Sequence, residues 1–130
     1  MKIKPAKSGK KRKPIRRAFT LRLKPGAFAE YKRHHDNIWP ELVREIEKSG
    51  IAQITIFAND PQLFLYSQIY DQKAWDKLWS SKVHGKWAET MERLMQFRDG
   101  KVDAGPLQEI FHLETSAGKP KNPHMKMNRT

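Results

Sequence analysis

The segment IAQITIFANDPQLFLYSQIY, residues 51–70, restricts the fold more than any other stretch. Two runs rich in β-branched and aromatic residues flank Asn59, Asp60 and Pro61, which have the composition of a tight turn, so the segment predicts an antiparallel hairpin. In the second run Leu63, Leu65 and Ile69 alternate with Phe64, Tyr66 and Tyr70. Neither side of that strand is polar, so both faces of its sheet need a cover. In a chain of 130 residues the simplest second cover is another copy, packed sheet to sheet as a homodimer.

The flanking sequence supplies the first cover. AFTLRLK alternates Phe19, Leu21 and Leu23 with Thr20 and Arg22, the period of a half-buried strand, and Pro25 and Gly26 end it. A helical pattern runs from Ala27 to Lys48, with Gly50 as its stop. After the hairpin, Asp71 is placed to cap a helix bearing Trp75, Leu78 and Trp79. A break at Ser80 and Ser81 precedes a second helical stretch with Trp87, Met91, Leu94 and Met95 on one stripe. LQEIFHLE, after the turn-like DAGP, alternates as a last strand. The expected class is α+β: a ferredoxin-like βαββαβ sandwich over residues 16–116, assembling as a dimeric α+β barrel.

The formal charge of +12 invites a nucleic-acid reading, but its distribution argues against one. Residues 1–17 carry nine Lys or Arg and residues 118–130 carry four, with no acid in either stretch. Between them 13 basic residues meet all 14 acidic ones, so the body of the chain is close to neutral. A nucleic-acid-binding domain carries its basic stripe on folded elements. The expectation is a disordered basic tail over residues 1–15 and another over 117–130, with polyanion contact confined to them. No apolar run is long enough to span a bilayer or to serve as a secretory signal, and there is no cysteine, so a cytoplasmic protein without membrane contact is expected.

Chemistry concentrates in EYKRHHDNIWPEL, residues 30–42. At about 100° per residue, Phe28, Tyr31, His35, Trp39, Leu42 and Ile46 share one helical stripe, while His34 falls at its edge. His35 is therefore expected to face inward with Tyr31 beside it, one turn away. An imidazole in a partly apolar site can give and take a proton near neutral pH, and the same pattern also fits a core histidine bonded to backbone. Trp39 and Trp87 would supply flat apolar walls for a small polar ligand. Adjacent histidines diverge by about 100° and cannot share an ion, and His84, His112 and His124 lack ligand spacing, so no metal is expected. A Gly-rich phosphate loop, a nucleophile elbow and a catalytic cysteine are all missing, and no cofactor is expected.

RRAFTLRLKPGAFAEYKRHHDNIWPEL, the tryptophan at Trp75, KWAETM around Trp87 and the closing LQEIFHLE stand in an order and spacing that resemble the L-rhamnose mutarotase family, over about residues 16–114. The resemblance implies a ferredoxin-like dimer without metal or cofactor that interconverts the α and β anomers of L-rhamnose or a related 6-deoxy sugar. It implies that His35 is the proton donor, and that Tyr31 and Trp87 contact the sugar. Two substrate-binding positions differ from the family pattern: Ile54 stands where a tyrosine is usual, and Ala88 where a second tryptophan is.

Two alternatives come from other classes. Ile54, Phe57, Phe64 and the tryptophans would also suit a cofactor-independent monooxygenase or decyclase of the same architecture acting on an aromatic substrate. A non-catalytic module with nucleic-acid-binding tails is the other. Tail-mediated binding to nucleic acid should weaken steeply with salt as counterions are released. Filter binding with and without residues 1–15 checks it: binding that survives the deletion removes the N-terminal tail as its determinant.

Overall fold

The computed structural model describes residues 13–118, so both basic tails fall outside it except for their innermost residues. Strand β1 (Ile15–Arg22) turns at Pro25 and Gly26 into helices α1 (Phe28–Asp36) and α2 (Pro40–Lys48). The hairpin β2 (Ile51–Asn59) and β3 (Gln62–Ile69) follows, then helices α3 (Gln72–Trp79) and α4 (Lys82–Glu92). Short strands β4 (Phe97–Arg98) and β5 (Lys101–Val102) pair only with each other, and β6 (Gly105–Leu107) joins the main sheet. That sheet is antiparallel in the order β2-β3-β1-β6, the sandwich topology expected from the sequence. None of the helices described is long and apolar enough to cross a membrane.

The barrel expectation is corrected. Strands β2 and β6 are the two edges of the sheet and do not pair with each other, so it is open. Closure needs a continuous hydrogen-bonded circuit with enough tilted strands to surround a core. One chain offers four strands here, and β6 has only three residues.

Two elements depart from the sequence expectation. The helix expected over 27–48 breaks at residues 37–39, because Pro40 forces the preceding Trp39 out of the helical region to φ −65°, ψ 131°. Pro40 then starts α2, where its missing N–H costs nothing. The last strand begins earlier and ends sooner than expected. Beyond Leu107 the chain leaves the sheet, with Ile110, Phe111 and Leu113 exposed by 88%, 78% and 68%. Elsewhere local signals and structure agree: the Asp71 carboxylate accepts the N–H groups of Lys73 and Ala74, and Gly50 ends α2 at φ +73°, where a side chain would be strained.

Register decides what each face carries. Phe19 lies opposite Leu65, which lies opposite Ile56, and this row faces the helices. Leu63, Leu65, Ser67 and Ile69 of β3 are all buried on that side. The opposite face carries Ala18, Thr55 and Tyr66, with Phe57, Phe64 and Leu107 exposed. Two predictions follow from the inner row. Leu63→Ala should cost about 2–5 kcal/mol by cavity formation. Ser67→Ala should instead gain about 1 kcal/mol, since the Ser67 Oγ is buried without a hydrogen-bond partner among the described residues. Urea unfolding measures both, and a clear loss of stability in Ser67→Ala would contradict the second.

Candidate active site

Between the inner sheet face and the four helices lies a half-open cleft of about 810 Å³, within the range of small-molecule sites. Its walls are chiefly aliphatic, and its polar atoms are few. Tyr31 and His35 reach it from α1, Ile54 from β2, Trp79 from the end of α3, and His84, Trp87 and Ala88 from α4.

His35 is held in one orientation. Its Nδ1 lies 2.9 Å from the Tyr31 carbonyl oxygen one turn earlier. A carbonyl only accepts, so Nδ1 carries the proton of the neutral ring and Nε2 is left with its lone pair. Nε2 has no hydrogen bond among the described residues and is not sealed from the cleft. The imidazole sits 4.3 Å from the Tyr31 ring and packs edge-on against Trp87 at 5.1 Å, between centroids. Burial lowers its pKa from 6.5; the bond to the Tyr31 backbone works the other way, His34 lowers it a little more and Asp36 raises it slightly. The ring is therefore chiefly neutral at pH 7, a base with one free nitrogen.

Tyr31 is buried, and burial pushes its phenol up to about 12. Its hydroxyl stays protonated throughout the neutral range and is available to donate. His34 turns aside and places Nε2 3.3 Å from the Glu30 carboxylate, off the cleft wall. The two adjacent histidines therefore have different partners and different surroundings.

The remaining expected residues divide. Trp87, Ile54 and Ala88 line the cleft. Trp39 does not; it stands behind Trp87, edge-on at 5.1 Å, and holds that ring in place. The helix break at Pro40 accounts for this, since the stripe drawn through Trp39 assumed an unbroken helix. The Glu109 carboxylate is engaged away from the cleft: it binds Arg16 at 3.0 Å, and Arg16 alternates with Arg17 and Phe19 onto the opposite sheet face. Arg16 holds that carboxyl below its ordinary value.

His84 and Trp79 also line the cleft and are not among the residues expected there from the sequence. The signal was present, because His84 precedes Trp87 by three residues and Ala88 by four, the spacing of one helical face. Among the described residues no group of three or more His, Asp or Glu side chains is placed to hold a metal ion.

Known proteins resemble this arrangement. The L-rhamnose mutarotase family model matches residues 16–113. An L-rhamnose mutarotase of Tolumonas auensis is 40% identical over 102 residues, 76% of this chain and 98% of its own. One from Acidiphilium cryptum is 37% identical over 99 residues, 74% of this chain and 95% of its own. Among solved structures, an L-rhamnose mutarotase from Formosa agariphila aligns with a TM-score of 0.66 at 28% identity, covering 77% of this chain and 99% of that one. SnoaB, a cofactor-independent oxygenase from Streptomyces nogalater, aligns at 0.57 with 12% identity over 78% of this chain and 98% of its own, a likeness of fold alone.

Proposed function

The chain belongs to the L-rhamnose mutarotase family, and we propose that it interconverts the α and β anomers of L-rhamnose or a related 6-deoxy sugar by proton transfer at His35, without a cofactor. The observation that carries this reading is the free Nε2 of His35, fixed as an acceptor in an apolar cleft by the Nδ1 bond to the Tyr31 carbonyl.

Anomer exchange needs one bond broken and re-formed. Nε2 takes the proton of the anomeric hydroxyl as a carbonyl forms at C1. The bond from C1 to the ring oxygen breaks, and its electron pair stays on that oxygen. The imidazolium then gives its proton to the ring oxygen, leaving the open-chain aldehyde and a neutral histidine. Rotation about the C1–C2 bond presents the other carbonyl face, and the steps run in reverse. His35 is thus the proton donor to the ring oxygen and also the group that first removes a proton. One positioned imidazole doing this is worth roughly 10² to 10⁴ in rate.

Tyr31, protonated at neutral pH, donates to a sugar hydroxyl. Trp87 supplies a flat wall, kept in position by Trp39. Ile54 and Ala88 present aliphatic surface on the cleft, which suits the methyl group of a 6-deoxy sugar better than a hydroxymethyl. The oxygenase alternative has only the likeness of fold behind it, and fold alone does not assign chemistry.

The outer sheet face with Phe57, Phe64 and Leu107, continued by the exposed Ile110, Phe111 and Leu113, supports a homodimer built on that face. Sedimentation at micromolar concentration should give twice the chain mass of 15.3 kDa; a monomer throughout would contradict it.

His35→Ala should lower catalysed exchange of L-rhamnose, followed by saturation-transfer NMR, by about 10² or more. Tyr31→Phe, which keeps the ring and loses the hydroxyl, should retain most of kcat and raise KM several-fold. Wild-type exchange rates in His35→Ala would overturn the assignment.

A further inference from the structure

The cleft holds a second imidazole that the proton transfer does not use. His84 lies in the first turn of α4, and its ring packs edge-on against Trp79 with centroids 4.5 Å apart. Trp79 is itself braced by Trp75 at 4.9 Å and by Phe19 at 6.2 Å, both edge-on, so it forms a fixed backing for the imidazole. Trp87, Ala88 and Met91 lie three, four and seven residues after His84, on one helical face, and all four line the cleft. Three residues of helix rise by about 4.5 Å, so His84 stands roughly one turn along α4 from the ring that touches His35. Ala88, small and next on the stripe, leaves open space beside it.

The two nitrogens of His84 are unlike. Nδ1 is buried and makes no hydrogen bond; the Trp79 carbonyl is near enough to favour a proton on the ring, but lacks hydrogen-bond geometry. Nε2 also has no partner among the described residues and is not among the buried unpartnered atoms, so it is accessible, on a residue that lines the cleft. The capping bond at this position, from the His84 backbone N–H to the Ser81 hydroxyl, does not involve the ring. The contacts with Trp79 position the ring and leave Nε2 unused, where a polar ligand in the cleft would meet it.

We infer that His84 is a substrate-binding residue that sets specificity: its Nε2 exchanges a hydrogen bond with a ring hydroxyl of the sugar remote from the anomeric carbon, in the space left beside Ala88. This rests on the sugar reading of the cleft. It makes the polar selection of this site the work of α4, with His84 backed by Trp79 and one turn along the helix from Trp87. A neutral imidazole can either accept from or donate to a hydroxyl, while an aliphatic replacement does neither and fills similar space.

The test uses the full chain and L-rhamnose as probe, with two readouts. In long-range proton–nitrogen NMR spectra, the His84 Nε2 resonance should move when L-rhamnose is added. In saturation-transfer kinetics, His84→Leu should raise KM about tenfold, the size expected for one lost hydrogen bond, with a smaller effect on kcat. His84→Gln, which places an amide near the Nε2 position, should recover most of that loss. Thermal melts of both variants identify any misfolded protein, and the resonance shift in the wild type does not depend on them. An unmoved His84 resonance alongside a shifted His35 resonance would overturn the inference and leave the sugar reading standing, as would a wild-type KM in His84→Leu. If neither histidine responds and no exchange is catalysed, the sugar reading fails, and the His84 inference with it.

Discussion

The inner face of β3 is the surface on which the rest of this fold depends. Leu63, Leu65, Ser67 and Ile69 lie in one buried row, and the helices anchor to it at two separate places. At one end Leu63 joins Leu23, Tyr31, Leu42, Trp87 and Met91. At the other, Ile69 joins Ile51, Trp75 and Leu78. Ile46 packs against both clusters, and residues of both line the cleft. Tyr31 and Trp87 thus belong to the core and to the site together, which makes the site rigid without dedicated supporting structure. The site's few polar groups reach into an otherwise aliphatic space, where each hydrogen bond faces little competition from water.

Much of this organisation could be read from residue order, since strand and helix periods are local. The hairpin around Asn59, Asp60 and Pro61, the Asp71 cap and the break at Ser80 and Ser81 all depend on neighbours within a few positions. The separation of His35 from His34 was also legible, because both sit on α1 before the break and one turn suffices to distinguish their faces. Farther along, the same stripe misplaced Trp39, where Pro40 resets the helix direction and carries the ring behind Trp87. The alternation of LQEIFHLE records a pattern of faces, not a pairing partner, and beyond Leu107 the sheet offers its backbone none among the described residues. Barrel closure is likewise a property of edge pairing, which periodicity does not encode. His84 has no metal-ligand spacing, and its relation to Trp87 and Ala88, one helical turn away on the same element, is the local signal that places it.

Charge follows a similar division between the ends and the middle. The domain that builds the cleft is close to neutral, and the polar pairs near it are local: the Lys32–Asp36 ion pair and the contact of His34 with Glu30, each four residues apart and partly exposed. Such pairs contribute little to stability and do not polarise the cleft strongly. Desolvation is the larger influence there. It lowers His35 and raises Tyr31, so both are uncharged at neutral pH, one able to accept a hydrogen bond and the other to donate, as the proposed exchange requires.

The central claim is that His35 works as a neutral base through Nε2, its tautomer set by the Tyr31 carbonyl. Nitrogen-15 NMR of the His35 ring across pH, compared with kcat/KM for anomer exchange over the same range, tests it most directly. The account predicts an Nδ1-protonated ring at pH 7 that titrates below 6.5, with activity present above that midpoint and lost as pH falls through it. An Nε2-protonated ring at pH 7, or a rate indifferent to the His35 titration, would contradict it.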